Sequence, residues 1–584
     1  MMGTAGAGHR AHTDALIEMV SSQLDLVAAP FTLPRSRILV QRHPDSPAEG
    51  GRELRVSRAE YERSLSDCIA IERLSVCDKD GEPLDITRVL PHRIEFGGGQ
   101  VTLTFAGADA LSIGVRKPGP ADGRASAEVH LELRDRTRRS IPLLPGASVV
   151  LQAASDGSVT ISPILEAGEF QHDDHLRSTA RVWAEWFDRC PRVREDLQPM
   201  TALCWWVLGA NIVELPGLDG ARAVVPSKIG YVGLWQWDAY FIAIGLRHGD
   251  PELAREQLDI AFRFPTATGQ LPDVVHDEGV LASSDDLPPH DLEVLRAHGS
   301  SIADPAAPVP LTKPPLAGWA LRKVLESTPA QDRTAVASWA NAAWDTIARS
   351  QDWWFVHSDL DGDGMPEYGH PYSSGLDDSP IFDGPFPLAS PDLGAYLVLQ
   401  DRELARHFTE QGNAERAEAC GRRADATLAG LLAMWDAATG RFLPHAGERI
   451  VRSYTAVSLL PLLTGELPAV RAELLVAALS DPAQFGTTWG VPTVAANDPD
   501  FSDERMWRGP VWVNINALLV EGLRSSGYPA EATRLAEQTV ALVIHGRGPS
   551  EYFNPSTGHK AHTATTSFGW SAALFIDLAV TLSP

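Results

Sequence analysis

The hydrophobic period of the chain changes once, near residue 170, and that change limits the folds open to it. Between about Phe31 and Glu166 apolar residues alternate with polar or small ones, as half-buried strands require. Val101, Leu103 and Phe105 follow this period, and so do Val129, Leu131 and Leu133. The run from Val149 to Pro163 holds two β-rich segments around Asp156-Gly157, a hairpin-turn pair. Gly and Pro punctuate the remainder. Residues 1–170 are therefore expected to form an antiparallel β-sandwich-like domain.

After about Phe170 helix signals take over. Asp250-Pro251 places a capping side chain and a first-turn proline before an amphipathic run, and Ser390-Pro391 opens another in the same way. Further helices are expected near 174–189, 314–327, 333–349, 413–435, 454–464, 468–479, 510–525, 529–545 and 568–580. About a dozen helices separated by Gly-, Pro- and Asp-rich loops, with no fixed repeat, exclude a short-period solenoid and fit an α/α toroid over 171–584. A chain of 584 residues exceeds one ordinary core, but such a barrel absorbs several hundred residues as one unit. Loops at one end of the barrel would carry the chemistry.

All sixteen tryptophans lie in this second part, from Trp183 onward. They gather in short patches that also hold polar groups. The first patch, Gly233–Phe241, has Trp235 and Trp237 followed by Asp238; its plain reading is a helix start with core aromatics and an acid that suits the helix dipole. The patch Glu504–Asn516 sets Arg508 and Asn514 around Trp512, which is also what a structural helix N-terminus offers. Near the C-terminus, Glu551 precedes a Tyr-Phe pair and a tight turn, and Trp570 follows. The apolar face of a sugar ring stacks on an indole while its hydroxyls need charged or amide partners, so these patches point to carbohydrate chemistry.

A long acidic loop runs from Asp359 to Asp383. Asp377 and Asp378 lie side by side, and adjacent carboxylates raise each other's pKa, so that a buried one can stay protonated as a general acid. A solvated turn is the alternative. The loop begins like half a calcium loop, although His370 stands where an EF-hand needs glutamate. Asp359, Asp361, Asp363 and Glu367 are candidate ligands for a calcium in another geometry; otherwise they are turn residues.

The net charge of −26 argues against nucleic acid and against anionic membrane surfaces. No apolar stretch is long enough to span a bilayer. The N-terminal segment lacks an apolar core behind basic residues, so no secretory signal is expected. The five cysteines, Cys68, Cys77, Cys190, Cys204 and Cys420, suggest neither a disulfide framework nor a zinc site. With abundant arginine and alanine, the cytoplasm of a bacterium is the simplest home. A homo-oligomer stays open.

Taken in order, the four segments resemble glycoside hydrolase family 63 and, more distantly, the trehalases of family 37. The resemblance covers roughly residues 200–580 and implies an inverting enzyme on an (α/α)6 barrel. Ser374-Gly375-Leu376-Asp377 matches the family's acid segment, so Asp377 inherits the general acid role. Glu551, in Glu-Tyr-Phe-Asn-Pro, inherits the general base role. Trp235, Trp237, Asp238, Arg508 and Trp512 match patterns that line the terminal-sugar pocket in relatives, and Trp570 belongs to the same aromatic set. Lys313, in LTKPPL, stands where the family commonly has glutamine, on the leaving-group side.

Inversion then needs a protonated carboxyl and an ionised one about 6.5–9.5 Å apart, with the attacking water between them. The expected function is exo-hydrolysis of a terminal α-linked sugar, an α-glucoside first, with a mannosylglycerate- or glucosylglycerate-type substrate or trehalose as the alternative. No redox cofactor is required, and calcium would be structural. A sugar epimerase on the same toroid would leave the glycosidic bond intact, and a lyase would make an unsaturated product. A non-catalytic glycan-binding protein would keep the tryptophans without needing Asp377 or Glu551.

Overall fold

The structure, a computed structural model, describes residues 2–46, 51–61, 63–116, 126–164, 171–277, 279, 289–298 and 311–583. Contacts divide the chain into two compact units, Met1–Glu214 with Arg222–Val232, and Leu215–Ala221 with Gly233–Pro584.

The first unit begins with a helix that no local signal announced, α1 (Met2–Ser21). Two antiparallel sheets follow. One has the order β1 (Ile38–Arg42), β2 (Glu53–Arg58), β3 (Ile69–Cys77), β8 (Ala127–Leu133), β9 (Arg138–Leu143). The other runs β11 (Val159–Ile164), β10 (Ser148–Ala153), β7 (Ala110–Val115), β6 (Val101–Gly107), β5 (Arg93–Phe96), β4 (Ile86–Leu90). Val56, Leu74 and Val76 of the first sheet and Leu103, Ile113 and Val149 of the second share one buried cluster, so the two sheets face each other across a single core. The expected alternation is what fills it: Val101, Leu103, Phe105, Val129 and Leu131 all point inward. Asp156-Gly157 does sit in the turn between β10 and β11, but the ladder starts at Ala153 and Val159, which makes the connection five residues long.

This unit extends well past the expected boundary at 170. Helix α2 (Gln171–Phe187) lies on β6 and β7 because His172 is bonded to the hydroxyls of Thr102 (2.7 Å) and Ser112 (2.8 Å). Its ring occupies the space above Gly114, where any Cβ would come within 2.5 Å. Helix α3 (Gln198–Ala210) is locked to α2 by two tryptophans. Trp186 and Trp205 stack with centroids 4.6 Å apart, and each indole N–H donates to the other's carbonyl at 2.8 Å. Trp183 stacks on Trp206 beside them. These four indoles are structural, so the tryptophan distribution overstated the amount of sugar surface. The strands β12 (Ile212–Leu215) and β13 (Ala221–Val224) form a short ribbon.

The second unit is helical. Its strands β14 (Leu234–Trp235) and β15 (Val274–Val275) form a two-residue pair. The helices are α4 (Gln236–Leu246), α5 (Pro251–Ala261), α6 (Pro289–His298), α7 (Ala317–Glu326), α8 (Arg333–His357), α9 (Pro371–Ser374), α10 (Pro391–Glu410), α11 (Ala414–Ala433), α12 (Ala469–Ser480), α13 (Val513–Ser525), α14 (Pro529–His545) and α15 (Gly569–Leu582). Helix α4 packs on α5, α7 and α15, α10 on α7, α8 and α11, and α13 on α14 and α15. The crossing of α4 and α15 is close because Gly245 has no side chain: a Cβ there would meet the backbone of Ala573 at 2.4 Å. Asp577 of α15 accepts from Arg247 (2.6 Å) and is bonded to His248 (2.7 Å), so the same pair of elements is also tied by charge one turn further along α15.

Two local readings change. Asp250 caps α5 as expected, accepting from the Leu253 N–H at 3.0 Å. Ser390 precedes α10 but does not cap it, because its hydroxyl donates to Asp392. The helix expected over 454–464 is two 3-10 turns, Ala456–Ser458 and Leu460–Thr464. Pro461 has no N–H for an α-helical bond, and the Ser458 hydroxyl turns to the carbonyl of Phe442 at 2.6 Å. Among the described residues no helix is long and apolar enough to cross a membrane.

Candidate active site

Asp238 sits in the first turn of α4, where the helix dipole favours an anion. Burial nevertheless pushes its carboxyl well above the usual range. Lys313 and the residue's own backbone N–H oppose that, and the charges of Glu551 and Asp377 add to it. Asp238 therefore feels three residues that are far apart in sequence, from 313 to 551.

The turn that carries Asp377 is built from short-range bonds. His370 precedes α9 and its Nδ1 accepts from the Tyr372 N–H at 3.1 Å. The turn closes at Gly375, whose φ of +71° is left-handed. A Cβ on Gly375 would lie 2.2 Å from the Trp237 ring, so this glycine lets the acidic loop lie against the α4 indole. Gly375→Ala should destabilise the protein by about 1–3 kcal/mol from overpacking and left-handed strain together. Gly412→Ala has the same strain (φ +72°) and open space. Urea midpoints of the two variants separate the terms, and equal losses would remove the packing role of Gly375.

The Asp377 carboxyl is pushed up to about 6, mainly by burial. Lys313 lowers it, and Asp378 and Asp273 raise it further. The expected neighbour effect of Asp378 is present, but desolvation is the larger cause. Asp378 does something else as well: it accepts from the backbone N–H of Trp507 (2.9 Å) and from Arg505 Nε (3.1 Å). One oxygen of Asp377, Oδ1, is buried with no hydrogen-bond partner.

Glu551 is 5% exposed. Its backbone N–H donates to the Thr565 carbonyl, and its Oε2 accepts from the Thr565 N–H, both at 2.9 Å. Two residues on, Phe553 and Val511 exchange backbone hydrogen bonds at 2.8 and 3.0 Å. Glu504 reinforces this pairing by accepting from Asn554 (2.7 Å) and from the His562 N–H (2.6 Å). The Trp-Arg-Gly-Pro-Val-Trp and Glu-Tyr-Phe-Asn segments thus lie side by side.

The indoles join these segments. Trp507 stacks on Trp512 at 3.6 Å, Trp512 on Tyr552 at 4.7 Å, and Trp570 meets Trp237 edge-on at 5.4 Å and Trp512 at 5.5 Å. Rings thus lead continuously from the Asp377 turn to the neighbour of Glu551. Trp507 and Tyr552 were not among the expected site residues; their positions beside Arg508 and Glu551 were the available signal. Asp273 and Gln236 were also missed. The side-chain oxygen of Gln236 accepts from the Lys313 N–H at 2.9 Å, and the Gln236 N–H donates to the Asp273 carbonyl at 2.7 Å.

Not every expected residue joins the cluster in the same way. Trp235 is on β14, half-buried, with its backbone paired to Val274. The Arg508 terminal nitrogens are committed to Asp383, Nη1 at 2.8 Å to Oδ2 and Nη2 to Oδ1, which leaves Nε buried without a partner. Lys313 is 6% exposed, and its ammonium donates to the Tyr372 carbonyl at 2.6 Å. In the acidic loop, oxygens of Asp359, Asp361 and Asp363 lie within 4.8 Å of one another. Glu367 is not in that group. It is buried, accepts from the Leu360 N–H at 2.9 Å, and is pushed up to about 7, chiefly by burial and then by the three aspartates.

The family model for the mannosylglycerate hydrolase MGH1-like glycoside hydrolase domain matches residues 231–571. The chain is 29% identical over 414 residues to a mannosylglycerate hydrolase of Thermus thermophilus, covering 60% of this chain and 95% of that one. It is 26% identical over 434 residues to a glucosylglycerate hydrolase of Mycolicibacterium hassiacum, covering 62% and 95%. A crystal structure of a family 63 mannosylglycerate hydrolase from Thermus thermophilus, in complex with glucose, superposes with a TM-score of 0.54 at 24% identity over 64% of this chain and 98% of that one. That likeness shows a shared fold over that part of the chain.

Proposed function

Because the chain belongs to the mannosylglycerate hydrolase MGH1-like family of glycosidases, within glycoside hydrolase family 63, we propose that it is an inverting exo-hydrolase of α-linked mannosyl- or glucosylglycerate. The names of its relatives favour this substrate over the simple α-glucoside that the sequence suggested first. We read Gly233–Pro584 as an (α/α)6 barrel that carries the chemistry, and the β-sheet unit as non-catalytic.

The observation that carries the mechanism is the environment of Asp377. A carboxyl held near pKa 6 by burial, with one bare oxygen, is suited to keep a proton and give it to a leaving oxygen. Glu551 holds its carboxylate by a backbone N–H and takes the role of base. In the reaction, Asp377 protonates the glycosidic oxygen as the bond to the anomeric carbon breaks. Glu551 takes a proton from the water that attacks the opposite face, and the product has the β configuration. Trp237, Trp512 and Trp570 are proposed to wall the sugar site with Trp235 and Asp238, while Arg508 holds the Trp507–Trp512 segment in place through Asp383. Fixing the sugar in one geometry is a large part of the rate. The reading requires no organic or redox cofactor. The carboxylates of Asp359, Asp361 and Asp363, with Asp359 Oδ1 buried and unpartnered, suit a hard cation, and a calcium held there would be structural.

The test is a panel of α-mannosylglycerate, α-glucosylglycerate, trehalose and α-linked glucobioses, with the first anomer read by proton NMR. Hydrolysis of a glycosylglycerate with initial release of the β-sugar is expected. Turnover of the disaccharides alone would return the α-glucosidase reading, and initial release of the α-anomer would end the inverting one.

A further inference from the structure

Lys313 is a buried cation among buried acids that pairs with none of them. Among the described residues its ammonium makes one hydrogen bond, to the neutral carbonyl of Tyr372 at 2.6 Å, and it lies 6.0 Å from the centre of that residue's ring. No ion pair of Lys313 is found among the described residues. A buried ammonium is costly unless nearby charge compensates it. Its field acts on Asp238 and Asp377, drawing both toward ionisation against their burial.

We propose that Lys313 is a positioning residue for the acid: its ammonium holds the head of the turn that ends at Asp377 while its main chain is tied to the start of α4, and from that place its charge acts on Asp377. The inference rests on the reading of Asp377 as the acid. The geometry has two parts. The Tyr372 carbonyl that Lys313 grips also receives the Gly375 N–H at 3.2 Å, so the ammonium braces the left-handed residue that lets the loop lie on Trp237. The Lys313 backbone is itself anchored through Gln236, the residue at the start of α4, two positions before Asp238. The lysine therefore ties the acidic loop to α4 by its side chain and its main chain together. A neutral amide at this position could make the same carbonyl bond, but it would bring no charge.

The charge has a defined sign. Facing Asp377 are Lys313, Asp378 and Asp273, and Glu551 acts on the neighbouring Asp238. Only the lysine in that set favours the ionised acid. Burial alone would keep the proton on Asp377 to higher pH, and Lys313 trims that excess so the proton can leave during the reaction. Removing the charge should therefore raise the pH at which Asp377 ionises.

The test compares full-length wild type with Lys313→Met, Lys313→Gln and Lys313→Arg. Carboxyl ionisation is followed by infrared difference titration of the substrate-free protein, with Asp377→Asn assigning the band. The Asp377 midpoint should rise by about one pH unit in both neutral variants and return to the wild-type value in Lys313→Arg. The basic limb of kcat/KM should move upward by the same amount in both, and kcat should fall further in Lys313→Met, which cannot hold the Tyr372 carbonyl. If one neutral variant does not fold, the other carries the measurement. An unchanged midpoint in a folded neutral variant, or the same shift in Lys313→Arg as in Lys313→Met, overturns the proposal. The infrared readout needs no turnover, so a wild type that hydrolyses no glycoside would defeat the functional reading while the effect of Lys313 on Asp377 is still measured.

Discussion

Asp377→Asn should lower turnover of a glycosylglycerate by about 10²–10⁴-fold while sugar binding survives. The amide keeps the shape of the side chain and removes the transferable proton. A glycerate oxygen is a poor leaving group, so bond cleavage depends on that proton. A substrate with an activated aryl leaving group should lose far less, because its oxygen departs without protonation. The pH dependence follows from the same carboxyl. The acid works only while protonated, so kcat/KM of the wild type should fall as pH rises through about 6, the value to which burial pushes Asp377. In the Asn variant this limb should vanish from the residual activity. Near-normal turnover, or an unchanged basic limb, would remove Asp377 from the acid role.

Glu551→Gln should cost a comparable factor, about 10²–10⁴-fold, for the opposite reason. It removes the group that activates water but retains an oxygen for the Thr565 N–H, so the local fold should persist. Glu551→Ala opens space where the attacking water is proposed to be held. Azide, which needs no base, should then restore turnover and give a β-glycosyl azide from the α-glycoside, as product NMR can show. An α-azide would indicate a covalent intermediate and a retaining mechanism. Azide rescue of Asp377→Ala in place of Glu551→Ala would exchange the two roles.

Parts of the fold were legible because they depend on near neighbours in sequence. Alternation in Val101–Phe105 and Val129–Leu133 requires only that one face be buried, and both runs are strands. Asp250-Pro251 opens a helix because the cap and the proline act within one turn. Misreadings arose where another partner competed. Ser390 gave its hydroxyl to Asp392, and Ser458 gave its to Phe442. The tryptophan distribution pointed to sugar chemistry, yet Trp183, Trp186, Trp205 and Trp206 pack α2 against α3. Glu367 accepts from the Leu360 N–H and lies outside the group of three aspartates.

The candidate site divides along the same line. By itself the sequence determined which chemical groups were available, in what order, and in which local turns: Ser-Gly-Leu-Asp closing on a left-handed glycine, Asp238 in a first helical turn, Glu551 just before an aromatic pair. Local geometry needs only adjacent residues, so it could be read. The tertiary structure alone decided what those groups became. The nearby Asp378 proved a smaller influence on Asp377 than burial, and burial is a property of the whole packed unit. The field of Lys313 at Asp377 and Asp238, the stack from Trp512 to Tyr552, and the withdrawal of Arg508 to Asp383 each join residues tens to hundreds of positions apart. Electrostatic coupling and ring packing act through space over a few ångströms, so no one-dimensional pattern could specify them before the helices were assembled.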